Sequence, residues 1–356
     1  MDRRTVLGAG AASLVGATSG CAAAKNGLQV ALPLPVNALH KLAFGSCMDQ
    51  GKQQPIWEAV LAERPELFIF GGDNVYASAA PWQLDNLQRA YAHLLQSPGF
   101  MRLRATVPTM AIWDDNDYGA NDGGVEFEHK QASKDAFLAF WRASADDPRR
   151  AREGLYQVAH VGPAGQRVQV IVLDCRWFRS SLRPTDARNA PGKERYLPDP
   201  DPGKTMLGET QWHWLEQQLA QPADLRLVVS GVQVLAQGHG WESWGNLPLE
   251  RARLLGLLRR TRANGVVFLS GDRHIGAFYR EQRVGSYALL EMTSSGLTHA
   301  WAQASEAGPN RLGELVTQNH FATIEFDWQA RRIVLCIKDV QGRVLREQAV
   351  AMADMV

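Results

Sequence analysis

The chain has 356 residues, with 38 Lys and Arg against 37 Asp and Glu and a formal charge of +1. The length fits two average domains or one large α/β domain, and it allows a core that needs no disulfides. A composition of 45% hydrophobic and 21% charged residues excludes global disorder, and the even charge balance shows no cationic excess for gripping a nucleic-acid backbone. Four cysteines, Cys21, Cys47, Cys175 and Cys336, form neither a CxxC nor a zinc-ribbon spacing.

Arg3-Arg4 precedes a run of small and apolar residues over 6–24. The run is too glycine-rich for a stable transmembrane helix and reads as the apolar part of an export signal. The paired arginines resemble a twin-arginine signal. Thr18-Ser19-Gly20-Cys21 resembles a lipoprotein cleavage box, with Thr18 where such boxes usually carry Leu. Cys21 would then be the lipid anchor. Ala22-Ala23-Ala24 is the alternative, an ordinary small-residue cleavage site. The expected layout is a signal over residues 1–24 and one catalytic domain over residues 25–356, placed in the periplasm or cell envelope. Loss of residues 1–20 removes two arginines and one aspartate, which leaves 36 basic and 36 acidic residues.

In chain order, residues 41–45 read as a short strand ending in the polar turn Ser46-Cys47-Met48-Asp49. Residues 55–63 read as a helix with Ile56 and Val60 on its apolar face. Residues 67–70 are a buried strand that runs into Gly71-Gly72-Asp73. The spacing of Leu84, Leu87, Tyr91 and Leu94 predicts a helix over 82–95. An apolar strand over 109–113 ends in Asp114-Asp115, and a helix over 130–143 turns Phe137, Phe140 and Trp141 inward. A strand over 168–173 ends at Asp174. The Pro-rich stretch over 183–204 reads as a surface loop or flap. Helices over 209–219 and 248–261 flank a strand over 225–229. A strand over 266–269 leads at once to Gly271-Asp272. Strands over 287–291, 321–326, 333–338 and 344–350 complete the chain.

Cys47, Asp73, Asp114 and Asp272 thus each follow an apolar strand. In α/β folds such strand ends converge on one rim, where ligands bind. The same segments supply Asp115, Asn116, Asp117, Asn121 and His274, and Tyr76 lies three residues after Asp73. Hard cations take carboxylate, phenolate and amide oxygens, and borderline ones accept imidazole and thiolate. Crowded carboxylates repel, and bound cations relieve that repulsion. A pair of cations roughly 3.5–4 Å apart can hold the attacking and leaving oxygens of a phosphoryl group. Each residue alone has a plainer reading as a turn, a cap or core packing. Their order at successive strand ends points to a metal centre.

Phe44-Gly45-Ser46-Cys47, Gly72-Asp73-Asn74-Val75-Tyr76, Trp113-Asp114-Asp115-Asn116-Asp117-Tyr118-Gly119-Ala120-Asn121-Asp122 and Ser270-Gly271-Asp272-Arg273-His274 resemble the PhoD-like alkaline phosphatases. These are a branch of the calcineurin-like metallophosphoesterases. The resemblance runs from about residue 40 to the C-terminus. It implies a four-layer α/β/β/α sandwich of two mixed sheets. It also implies iron(III) and calcium as cofactors, with other divalent metals as alternatives. By this resemblance Cys47, Tyr76 and His274 are iron-side ligands and Asp73 bridges to the calcium side. Asp114, Asn121 and Asp272 complete the metal set.

The expected activity is metal-dependent hydrolysis of small-molecule phosphate esters or diesters through a metal-bound hydroxide. No nucleic acid or obligate protein partner is implied, and membrane contact comes only through the lipid anchor. Arg176, just after a strand end, is the first choice to stabilise phosphoryl charge, and a surface arginine in a salt bridge is its other reading. One departure matters. Asn116 stands where the family commonly has His, so proton donation to the leaving group from that position is lost. His299, His239 and Asp115 are the replacements considered, with His299 first and a structural role as its alternative. The loop with His239, Trp241 and Trp244 is either a wall over the metals or core packing. The alternative function is a non-catalytic envelope lipoprotein that binds metal or phosphate.

Overall fold

The computed structural model describes residues 31–282 and 287–356. The expected signal over residues 1–24, with Cys21, lies outside them. Thirteen strands form two large mixed sheets. The first holds β1 (Lys41–Gly45), β2 (Leu67–Gly71), β3 (Thr109–Ile112), β13 (His320–Asp327), β14 (Arg332–Asp339) and β15 (Val344–Ala351), in the order β15-β14-β13-β1-β2-β3. The second holds β4 (Gln157–Val161), β5 (Val168–Val172), β8 (Leu225–Ser230), β9 (Val266–Ser270), β10 (Gly276–Glu281), β11 (Leu289–Ser294) and β12 (Arg311–Val316), in the order β12-β10-β11-β9-β8-β5-β4. In the first sheet β1, β2 and β3 are parallel, and in the second β11, β9, β8 and β5 are. Parallel neighbours put their C-terminal ends on the same side, which is the rim expected from sequence.

Helices cover the outer faces. α1 (Ile56–Ala62), α2 (Leu84–Leu94), α3 (Pro98–Thr106) and α5 (Lys130–Phe140) belong to the first sheet's layer, and α6 (Gly208–Leu219) and α7 (Pro248–Thr261) to the second's. Every residue of β2, β5, β8 and β9 is buried. This explains their unbroken apolar sequences: strands covered on both faces do not alternate. By contrast, β15 alternates exposed and half-buried residues, as an edge strand does. Trp57 of α1 anchors the first layer, with Phe68, Phe70 and Phe100 within 5.8–6.1 Å between ring centres. Each fully buried aromatic of this kind contributes roughly 1.5–3 kcal/mol of transfer energy.

Several elements escape the sequence reading. α3 begins with Ser97 as its N-cap and Pro98 in the first turn, and the Pro-Gly pair hides it. β4, β10 and β12 are short or amphipathic and sit beside stronger signals. The Pro-rich stretch contains a two-stranded ribbon, β6 (Arg183–Pro184) with β7 (Tyr196–Leu197). No helix among the described residues is long and apolar enough to cross a membrane.

Candidate metal centre

The turns after β1, β2, β3 and β9 meet at the rim. Cys47 follows β1, Asp73 follows β2, Asp114 follows β3, and Asp272 and His274 follow β9. Four of these residues have left-handed backbones: Cys47 (φ 59°), Asp73 (φ 50°), Asp272 (φ 68°) and His274 (φ 56°). L-residues pay roughly 1–3 kcal/mol for such conformations, which persist where the surroundings fix them. Here the neighbouring strand does so: Cys47 N–H donates to Gly72 O and Met48 N–H to Asp73 O. Glycines let the turns close. A Cβ at Gly72 would meet Asp114 Cβ at 2.5 Å, and one at Gly271 would meet Ser46 Oγ at 2.7 Å. These contacts give the Gly-Asp pairs a steric reason.

Three overlapping groups of donor atoms result, each with its atoms within 4.8 Å of one another. They are Cys47, Asp73 and His274; Asp73, Asp114 and Asp115; and Asp115, Asp122 and Asp272. Asp73 thus belongs to two groups, and Asp115 links the second to the third. Tyr76 Oη lies 3.0 Å from His274 Nε2, and the Cys47 thiol is 3.7 Å from Asp73 Oδ2. Asn121 lines the cleft above the cluster together with Asp73, Asp115, Asn116 and Asp122.

The electrostatics fit cations. Asp73 and Asp272 are pushed well above the ordinary carboxyl range by burial and then by neighbouring carboxylates. Burial also lifts Asp114 to about 8, although Arg176 opposes it, and lifts Asp122 to about 7. Among the described residues neither Asp73 nor Asp272 has a salt-bridge partner, and the buried Asp114 Oδ2 has no hydrogen-bond partner. Burial, followed by His299 and Arg273, lowers His274 to about 3, so its ring is neutral and can ligate. Thiol, phenol and neutral imidazole on one side with carboxylates on the other make a donor set for two kinds of cation.

Arg176 is a correction to the sequence reading. It is fully buried behind the cleft, with Nε 2.6 Å from Asp114 Oδ1 and Nη2 2.7 Å from Glu242 Oε2. It holds Asp114 in place and does not line the cleft. The arginines that do are Arg188, Arg195 and Arg273. Their positions come from the Pro-rich ribbon and the turn after β9, where no apolar run marks them. His299 stacks on His274 with ring centres 4.4 Å apart and is not among the residues lining the cleft. His239 is turned away, bonded through Nε2 to Gln233 Oε1 at 3.0 Å. Asn116 lies in the cleft lining. Its amide donates to Asp73 Oδ2 at 3.1 Å and to Asp115 Oδ1 at 2.8 Å, while Ser78 Oγ donates to its oxygen. In the aromatic loop Trp241 faces the cleft, whereas Trp244 is core. Asp122 and Glu242 were not expected from sequence, since neither follows a strand.

The profile of the PhoD-like phosphatases matches residues 42–326. The chain belongs to the PhoD-like phosphatase family. Alkaline phosphatase D of Bacillus subtilis (strain 168) is 22% identical over 222 residues, which is 57% of this chain and 37% of that protein. The match therefore spans little more than a third of that relative. The solved structure of PhoD superposes with a TM-score of 0.68 at 16% identity, covering 90% of this chain and 70% of that one. Purple acid phosphatase PPD1 from yellow lupin (Lupinus luteus) seeds gives 0.58 at 11% identity, covering 90% and 55%. These likenesses establish the α/β/β/α metallophosphoesterase-like fold. The donor cluster, from Cys47 to His274, lies within the matched range.

Proposed function

We propose that this PhoD-like family member hydrolyses small-molecule phosphate esters at the rim cluster, with iron(III) and calcium as its cations. The convergence of Cys47, Asp73, Asp114, Asp272 and His274 from both sheets carries the reading. Cys47, Tyr76 and His274 would hold the iron side, Asp73 would bridge to the calcium side, and Asp114, Asn121 and Asp272 would complete the metal set. When bound, the cations would supply Lewis-acid polarisation of the phosphoryl group and an activated water nucleophile.

The chain's own residues do the rest. Asn116 fixes the orientation of Asp73 and Asp115 through its amide. Arg188, Arg195 and Arg273 face the cleft and are suited to bind the phosphoryl oxygens. Trp241 and Trp301 wall one side of the cleft. Water adds to phosphorus, the ester bond breaks, and the departing alkoxide takes up a proton. Without a titrating side chain at 116, esters with good leaving groups are favoured. Export by the twin-arginine route and lipidation at Cys21 remain part of the proposal, which places the activity in the cell envelope.

The test is turnover of nitrophenyl phosphate and bis(nitrophenyl) phosphate by metal-loaded protein, with elemental analysis and a visible spectrum. Phenolate on iron(III) should give a charge-transfer band, and Asp73→Asn should abolish most turnover and disturb that band. Bound metal without turnover of either ester would favour the non-catalytic binding protein, for which Asn116 is the specific observation. A colourless, iron-free protein with turnover would refute the iron assignment.

A further inference from the structure

A second lobe opens beside the metal cleft. Its volume is about 610 Å³, against about 390 Å³ for the metal side. The two share Arg195, Trp241 and Trp301 as a common wall. That wall is tied to the metal centre, because Trp301 N–H donates to His274 O at 2.8 Å. The Trp241 ring carries the guanidinium carbons of Arg195 and Arg273 at 4.5 Å each from its centre. Trp301 meets the same ring edge-on at 5.6 Å.

The acidic groups in this lobe already have partners. Glu306 pairs with Arg273 at 2.9 Å and accepts from Tyr279 Oη at 3.2 Å. Glu194 accepts from the backbone N–H groups of Gly192 and Gly240. The lobe therefore offers indole and guanidinium surfaces with balanced charge, Arg195 and Arg273 against Glu194 and Glu306. Because these charges cancel, neither a cationic group nor a second anion would gain a net counter-charge there. Flat neutral groups stack on such surfaces with a gain of about 0.5–1.5 kcal/mol beyond area burial.

We infer that this lobe holds the organic group of the phosphate ester, and that it selects a planar, uncharged group of aryl or heteroaryl type. The inference rests on the phosphoester reading above. Its volume suits a group of nucleoside size, and small alkyl phosphates leave it unfilled.

Calorimetric binding to the metal-loaded protein tests this without turnover, using naphthylphosphonate, cyclohexylmethylphosphonate and methylphosphonate. Naphthylphosphonate should bind at least tenfold more tightly than methylphosphonate and severalfold more tightly than the saturated ring. Ala307→Trp, at an exposed position in the lobe, should cut the naphthyl-to-methyl ratio at least fivefold. Trp301→Ala should do the same by removing the wall. Equal affinities in the wild type, equal binding of the saturated ring, or a ratio unmoved by both variants would overturn the inference while leaving the phosphoester reading intact. Failure of all three ligands to bind would overturn the phosphate site itself, and this inference with it.

Discussion

Replacing Arg176 by Met separates a structural arginine from a phosphate-binding one. In the wild type its guanidinium bonds Asp114 at 2.6 Å and Glu242 at 2.7 Å, and all three side chains are buried. Arg176→Met leaves Asp114 without a cation and Glu242 with Arg179 alone, whose Nε is 3.2 Å away. Removing one partner of a buried ion pair typically costs about 3–5 kcal/mol, because the remaining charge stays desolvated. At roughly 2.1 cal/mol/K per residue, the unfolding entropy of a chain this long is roughly 0.7 kcal/mol/K. The expected fall in Tm is therefore roughly 4–7 °C. Thermal unfolding followed by circular dichroism at fixed metal concentration measures it. Arg176→Lys should recover only part of the loss, since an ammonium cannot reproduce the fork that spans two carboxylates. An unchanged Tm with a large rise in KM would refute the reasoning and return Arg176 to the substrate.

Two other perturbations probe separate parts of the chain. Asn116→His should raise turnover of phenyl phosphate relative to nitrophenyl phosphate several-fold, by restoring a group that can protonate a poor leaving oxygen; an unchanged ratio means that the position is not the donor. Glu63 joins Lys41 at 2.9 Å and Lys338 at 2.8 Å, and these lysines outweigh burial and hold its carboxyl below the ordinary 4.5. Its contribution is fully present above that ordinary value and is lost as pH falls through the lower folded value. Glu63→Gln should thus lower the urea midpoint at neutral pH by the equivalent of about 1 kcal/mol, with the deficit shrinking towards acid; a deficit that stays constant across that range would count against the pairing.

Much of the fold is legible in the sequence where local pattern and tertiary context agree. The strands of 67–70, 168–173 and 266–269 stand out because burial on both faces makes them continuous apolar runs. Cys47, Asp73, Asp114 and Asp272 stand out because each follows an apolar run. The legibility ends where position depends on distant packing. Arg176 lies two residues after the strand-end Asp174, as a substrate ligand could, yet Asp114 and Glu242 capture it from two other segments. Arg188 and Arg195 lie in a stretch whose prolines announce a loop but say nothing of where it folds. β10 and β12 are paired antiparallel to each other across a register shift, which no period-2 pattern records.

The cluster also bears on how the molecule matures. Its halves come from different sheets, with Asp73 and Asp272 separated by about 200 residues of chain. A chain that has built only the first sheet lacks Asp272 and His274, so of the three donor groups only that of Asp73, Asp114 and Asp115 is complete. The other two groups close only when the two sheets dock. Metal uptake would mark the end of folding, and a protein that passes through a compartment boundary after loading would carry its own certificate of a finished fold.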